Sequence, residues 1–203
     1  MGVKQRRARQ KEGLREEILD AARTLFVKEG YESVSIRKIA DKVEYAPGTI
    51  YLYFRDKAEI LDKICEETFA KLIVRMQAIE NDNADPLDKM RRAIRTYIQF
   101  GLDHPHHYVL TFIQAKMHGV GLTAFQTTGM QAFECMRQGV QECIDAGVMV
   151  SDDVDELSQT LWAGMHGLTS LLITCVGFPF VEPNRLIERM ANTLVDGVRK
   201  KPD

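Results

Sequence analysis

The sequence predicts an all-α protein in which a small N-terminal helical domain is joined by a long helix to a larger helical domain. Three observations predict it: apolar residues recur at three- and four-residue spacing almost throughout, strand-like alternation is absent, and no proline interrupts the chain between Pro105 and Pro179. With 203 residues and 45% hydrophobic content the chain can bury a substantial core in one or two domains. The expected division is 1–57 and 58–203.

The first helix carries Leu14, Ile18, Ala21, Ala22, Leu25 and Phe26 as one stripe and stops at Gly30. Ahead of it lies MGVKQRRARQK, with five Lys or Arg and no acid among its first eleven residues. Such an arm follows a DNA backbone, enters a minor groove, or stays a solvated, disordered basic tail. Ile36, Ile39, Ala40 and Val43 give a second, short helix its apolar face, with Ser35 as its cap and Arg37, Lys38 and Lys42 on the wet side. A third helix follows Ala46 and opens at Pro47, whose fixed φ suits a first helical position. Ile50 and Phe54, four apart, turn inward. Residues 58–79 make the long connecting helix, ended by Asn81-Asp82-Asn83-Ala84-Asp85. Asp85 caps the next one, with Pro86 at its first position and Leu87, Met90, Ile94, Tyr97, Ile98 and Gly101 inward. After the break at Asp103-His104-Pro105 comes a shorter aromatic-rich helix that ends near Gly119 and Gly121. Helices over 123–146, 154–176 and from Pro183 to about Lys200 complete the chain.

The stretch SIRKIADKVEYAPGTIYLYFRDK, residues 35–57, carries the functional signal: two short helices joined by a tight turn with a basic exit, a helix-turn-helix. Gly48 and Thr49 offer a small surface that base edges and phosphates can approach closely. The phenolic hydroxyls of Tyr51 and Tyr53 suit phosphate oxygens, the alternative for Tyr51 being packing against its neighbours, and Lys57 is a point charge for the backbone. Gly30, Tyr31, Ser35-Ile36-Arg37-Lys38-Ile39-Ala40, Gly48-Thr49-Ile50-Tyr51-Leu52-Tyr53-Phe54 and Lys57 together resemble the N-terminal domain of the TetR (TetR/AcrR) family of bacterial transcriptional regulators, over roughly residues 14–62. The resemblance implies a three-helix DNA-binding domain fused to a helical domain that dimerises and binds a small effector. Carried over position by position, it implies DNA contacts from Ser35, Arg37, Ala46, Pro47, Gly48, Thr49, Tyr51, Tyr53 and Lys57. Glu44 and Tyr45 depart from the family's usual Gly-Val in the turn, so Glu44 is asked for a left-handed conformation that glycine adopts more cheaply.

Charge agrees with this division. Residues 1–57 hold thirteen Lys or Arg against nine Asp or Glu, whereas the whole chain has 27 against 29 and a net charge of −2. A basic end on an acidic chain points to one localised DNA-facing surface rather than general coating of nucleic acid. A DNA-architectural protein without an effector is a third class, which predicts weak sequence preference.

Trp162, Leu168 and Leu172, with Ile187, Met190 and Leu194 on the last helix, are the candidate dimer interface, because their helix pair offers more apolar and small-residue surface than one pair needs. Trp162-Ala163-Gly164-Met165-His166-Gly167 is similar to the W…HG signature of one C-terminal subtype of the family, and DHPHHYVLTF, residues 103–112, to another of its segments. Met76, Tyr97, Phe100, Tyr108, Phe112, Phe133, Met165 and His166 are the candidate effector-binding residues, with Met117 among the wider supply of thioether and aromatic side chains. Each is otherwise an ordinary core residue; Tyr97 and His166 add a polar handle to an apolar setting.

No catalytic residue and no metal ligand set is identified, and no cofactor is expected. His104, His106, His107 and His118 suggest a metal-dependent or enzymatic alternative, yet the Glu-x-x-His and His-Glu-x-x-His patterns are absent, and exposed capping at a helix start is the simpler account of the first three. Cys65, Cys135, Cys143 and Cys175 form no CxxC pair, which fits reduced thiols in a cytoplasmic protein; a thiol sensor is the alternative. No leading apolar run reads as a signal peptide and no segment reads as a transmembrane span. The expectation is a non-enzymatic, homodimeric, ligand-responsive repressor that binds a palindromic double-stranded operator and is released by a small, largely apolar effector. A metal- or thiol-sensing regulator and an activator of the same fold are the alternatives.

Overall fold

The computed structural model describes residues 3–115 and 122–201. Met117, His118, Gly119 and Gly121 fall outside them. Among the described residues the chain is helical with no strand, and one isolated antiparallel bridge joins Met149 to Arg199. The all-α class read from the sequence is the observed one.

The chain packs as two compact units, each discontinuous in sequence: Met1–Thr68 with His106–Gln126, and Phe69–Pro105 with Thr127–Asp203. Residues 106–115 and 122–126 group with the N-terminal helices in this packing, and the 109–114 turn lies against the first of them.

In the first unit α1 spans Val3–Glu29, so the expected basic arm is helical and continuous with the helix foreseen from Leu14. Ile18, Leu19, Ala22 and Phe26 have no exposed surface, and each large side chain so buried contributes about 1.5–3 kcal/mol. The helix ends where Gly30, at φ +81°, donates its N–H back to the Phe26 carbonyl. Ser35 caps α2 (Ile36–Lys42) by accepting from Lys38 N, and α3 (Pro47–Ile50) opens at its proline. Helix α4 (Lys57–Glu80) is continuous and contributes residues to both units. Asp56 accepts from Glu59 N at 2.8 Å while the Glu59 carboxylate accepts from Arg55 N at 2.6 Å, a reciprocal arrangement that fixes where α4 begins. Helix α6 (Pro105–Tyr108) runs on as a π-helical turn, Val109–Gln114, with Tyr108 and Leu110 fully buried.

In the second unit α5 (Pro86–Asp103) is the central element, packed against α7 (Met130–Asp145), α8 (Val154–Thr174) and α9 (Pro183–Val198). Asp85 accepts from Leu87 N and Asp88 N, as the sequence requires of a cap beside Pro86. Its inner face holds Met90, Ile94, Tyr97, Ile98, Phe100 and Gly101. The helix expected over 123–146 starts as a short α turn, Leu122–Ala124, passes through a π-helical turn, Phe125–Gly129, and becomes α7. Two backbone hydrogen bonds, Val150 N to Val198 O at 2.9 Å and Lys200 N to Val148 O at 2.7 Å, tie the loop after α7 to the chain beyond α9.

Candidate functional site

The turn between α2 and α3 is built on Glu44. Its φ of +60° makes it the one non-glycine residue with positive φ among the described residues. Glu44 N bonds Asp41 O at 3.3 Å and Tyr45 N bonds Ala40 O at 3.0 Å, the paired hydrogen bonds of a Schellman ending. The left-handed conformation anticipated for Glu44 is therefore present. The geometry normally given to glycine is kept at a cost of about 1–2 kcal/mol.

This turn sets α3 with Ile50 and Phe54 in the core, 0% and 2% exposed, and with Tyr51 turned out at 56%. Ser35, Arg37, Ala46 and Gly48 are exposed beside it, and Pro47, Thr49 and Tyr53 are half-buried. Arg37 has no ion-pair or hydrogen-bond partner among the described residues, so its charge is unspent. A Cβ added at Gly48 would meet no atom within 4 Å, and Gly48 is not among the glycines of positive φ. Neither packing nor backbone conformation needs glycine there. Ala46 offers no side-chain cap to α3.

Lys57, expected as a point charge for the DNA backbone, is engaged within the chain. Its ammonium donates to Tyr31 O at 2.8 Å and Glu32 O at 3.4 Å, and lies 4.2 Å from the Tyr31 ring centroid. It pins the α1–α2 turn to the start of α4. Lys38 is also engaged, donating to Glu29 Oε2 at 2.6 Å and Ser33 O at 3.0 Å; that hydrogen bond holds the Glu29 carboxyl below its ordinary pKa. Two basic residues of α1 lie beside the rings that follow α3. Lys11 Nζ lies 6.0 Å from the Tyr53 ring centroid and the Arg15 guanidinium 5.2 Å from that of Phe54.

The candidate effector residues fall into two groups. In the second unit the Tyr97 hydroxyl lies 3.2 Å from His166 Nδ1, with Tyr97 4% exposed. Trp162 stands 5.9 Å from the His166 ring and 5.9 Å from Phe133, and Met165 and Phe100 are buried. The structure thus gathers Tyr97, Phe133 and His166 by way of a tryptophan that the sequence assigned to the dimer interface. Met76 is half-buried on α4, and Phe100 stacks with Arg75 at 5.2 Å and His104 at 5.1 Å. Tyr108 and Phe112 belong to the first unit, where their rings lie 4.8 Å apart.

Of the interface candidates, Leu168 and Ile187 are buried within the single chain at 7% and 5%, which leaves them little surface to offer a second copy. Trp162, Leu172, Met190 and Leu194 remain half-exposed. Leu194 packs on Gly164, where an added Cβ would come within 2.5 Å of its Cδ2. Leu171, Val176, Phe178 and Val181 are the large apolar residues left open on α8 and the loop that follows.

No group of three or more potential metal ligands occurs among the described residues. His107 is not an exposed cap: its Nδ1 lies 3.1 Å from the Thr68 hydroxyl, which itself donates to Ile64 O. His104 is half-buried and its Nε2 faces Arg75 at 3.4 Å; only His106 of the three is exposed. Burial pushes the Cys65 and Cys143 thiols up to about 12, and Cys175 is exposed. Among the described residues no helix is long and apolar enough to cross a membrane.

A basic helix-turn-helix on a two-unit helical chain defines a class, the one-chain DNA-binding regulators with a separate helical domain. Residues 18–64 match the family "Bacterial regulatory proteins, tetR family", and residues 90–194, more than half of the chain, match "Tetracyclin repressor-like, C-terminal domain". The chain belongs to the TetR family of bacterial regulatory proteins. The fatty acid metabolism regulator protein of Bacillus subtilis is 34% identical over 106 residues, 52% of this chain and 55% of that protein. The repressor KstR2 of Mycolicibacterium smegmatis is 26% identical over 98 residues, 48% of this chain and 47% of that one. The chain spans about half the length of these curated relatives. Among solved structures, the fatty acid degradation regulator FadR of Bacillus halodurans superposes with a TM-score of 0.77 at 17% identity, over 90% of this chain and 95% of its own. A TetR family regulator of Marinobacter aquaeolei does so with a TM-score of 0.76 at 17% identity, over 96% and 100%. These structural likenesses speak for the fold.

Proposed function

We propose that this chain is a ligand-responsive transcriptional regulator, a repressor that occupies a palindromic operator as a homodimer and is released by a small, largely apolar effector. The observation that carries the DNA half is the open face at α2–α3. Arg37 has an unspent charge, Tyr51 is turned out of the core, and Gly48 leaves a gap that the fold itself does not use. Small residues where a duplex approaches, with hydroxyls and a guanidinium at their edge, supply both close approach and phosphate contacts. Ser35, Arg37, Ala46, Pro47, Gly48, Thr49, Tyr51 and Tyr53 form the proposed contact set. Lys57 acts on it indirectly, by holding the turn before α2.

The effector half rests on Tyr97 and His166. A phenol and an imidazole paired inside an apolar helical unit, with Trp162 beside the imidazole and Phe133 beside Trp162, give a ligand one polar anchor among aromatic walls. That a relative is named for fatty acid metabolism supports an effector with a sizeable apolar portion. Because α4 is one unbroken helix with residues in both units, a ligand-dependent shift of its second half is carried to the recognition end. The half-exposed residues of α8 and α9 are the proposed dimer face. Two recognition helices held about one DNA turn apart then read the two half-sites.

The test is selection of duplexes from a random pool by the purified chain, followed by titration of the selected duplex with acyl compounds of increasing chain length. Recovery of a palindrome whose affinity falls as one ligand saturates supports the proposal. A saturating ligand that leaves operator affinity unchanged refutes the release mechanism, since a ligand shifts an equilibrium only through its preference for one state.

A further inference from the structure

The sequence treats MGVKQRRARQK as an arm ahead of the first helix, but its residues from Val3 onward are the opening turns of α1. Once they are helical, spacing acquires meaning. Lys4, Arg7, Lys11 and Arg15 recur at intervals of three and four, so the helix register puts these four positions on one side of α1, whereas positions 6 and 9 lie on other sides. The first acid of the chain, Glu12, comes only after eleven residues.

One of the four positions is already seated at the candidate DNA face, with Lys11 over the Tyr53 ring, and Arg15 one turn on lies over the neighbouring Phe54 ring. Phe54 is in the core and Tyr53 follows the α3 turn, so these contacts fix which side of α1 is continuous with the recognition surface. From position 11 to position 4 the helix rises about 10 Å, comparable with the axial rise of about three base pairs.

We propose that the basic stripe of α1, positions 4, 7, 11 and 15, is a second phosphate-binding element that lengthens the operator footprint beyond the bases met by α3. The inference rests on the DNA-binding reading above. Its occupant is duplex DNA, argued from charge complementarity and from continuity with the α2–α3 face. A helical rail has an advantage over a flexible arm: its backbone positions are spaced before binding, so less ordering entropy is lost on association. It contributes affinity without sequence information.

The experiment uses the full chain and a duplex that the wild-type chain itself selects from a random pool, with long fixed flanks. The variant Lys4→Gln with Arg7→Gln is compared with Arg6→Gln with Arg9→Gln, which removes the same charge from off the stripe. Glutamine keeps helix propensity, and circular dichroism checks that α1 is retained. The stripe variant removes two charges from each protomer of the bound dimer, so it is expected to lower the slope of log affinity against log salt by about four, at about 0.9 per phosphate contact, and to shorten the hydroxyl-radical footprint at its outer edges. The off-stripe variant is expected to keep the wild-type slope and footprint. Equal slopes for wild type and stripe variant, or equal losses in both variants, would overturn the rail and leave the α3 interface standing. Failure of the wild-type chain to select any duplex would overturn the DNA-binding reading itself, and the rail with it.

Discussion

Replacing Gly48 with alanine separates what the fold needs from what the proposed DNA face needs. An added Cβ meets no atom within 4 Å, and no positive φ has to be relieved. The intrinsic preference of a helix interior for alanine over glycine is about 1 kcal/mol, and in the first turn of a four-residue helix roughly half of that is expected. Gly48→Ala is therefore expected to leave the unfolding free energy unchanged or to raise it by about 0.5 kcal/mol. At an interface packed against DNA the same methyl is an overpacking error worth about 1–3 kcal/mol, or about a tenfold to hundredfold loss of affinity. The assay pairs urea unfolding with competition binding to the selected operator. Stability retained with affinity lost supports the assignment of this gap to the duplex. Unchanged affinity, or a stability loss above about 2 kcal/mol, would refute the reasoning.

Glu44→Gly is expected to stabilise the chain, because relief of about 1–2 kcal/mol of left-handed strain exceeds the extra entropy of about 0.5–1 kcal/mol that glycine loses on folding. A rise in melting temperature of about 2–4 °C with unchanged operator affinity supports that balance, and a fall contradicts it. Lys57→Met keeps the aliphatic stem but leaves Tyr31 O without the ammonium at 2.8 Å, so unfolding in urea is expected about 1–2 kcal/mol easier and the salt slope of DNA binding unchanged. A reduced slope at full stability would instead make Lys57 a phosphate ligand. At pH 7–8 iodoacetamide is expected to modify Cys175 first and to spare Cys65 and Cys143, whose thiols burial holds near 12; rapid native-state labelling of Cys65 would revive the thiol-sensor alternative.

What the sequence made legible is what local chemistry decides. Asp85 with Pro86, Ser35 before α2, and Gly30 after α1 each set a helix end by a hydrogen bond or a backbone preference confined to a few residues. The left-handed Glu44 was readable from the family resemblance, which has glycine at that position of the turn. What local chemistry does not decide is which distant partner a side chain takes. Lys57 is 26 residues from the carbonyl it binds, and His107 is 39 from Thr68. Leu168 and Ile187 are apolar at helical spacing, but spacing does not say whether the facing helix belongs to the same chain. The packing of residues 106–115 and 122–126 with the first unit has no local signal either. The π-helical turns at 109–114 and 125–129 follow from no residue type that marks them.

The central claim is that the α2–α3 face reads a particular DNA sequence. It is tested most directly by binding of the purified chain to the DNA flanking its own gene, in moderate salt with excess unrelated competitor, beside an Arg37→Ala and Tyr51→Ala double variant that unfolds at the same denaturant concentration. Tight, competitor-resistant binding by the wild type that the variant loses is the predicted result. Binding by the variant as tight and as competitor-resistant as that of the wild type would contradict it.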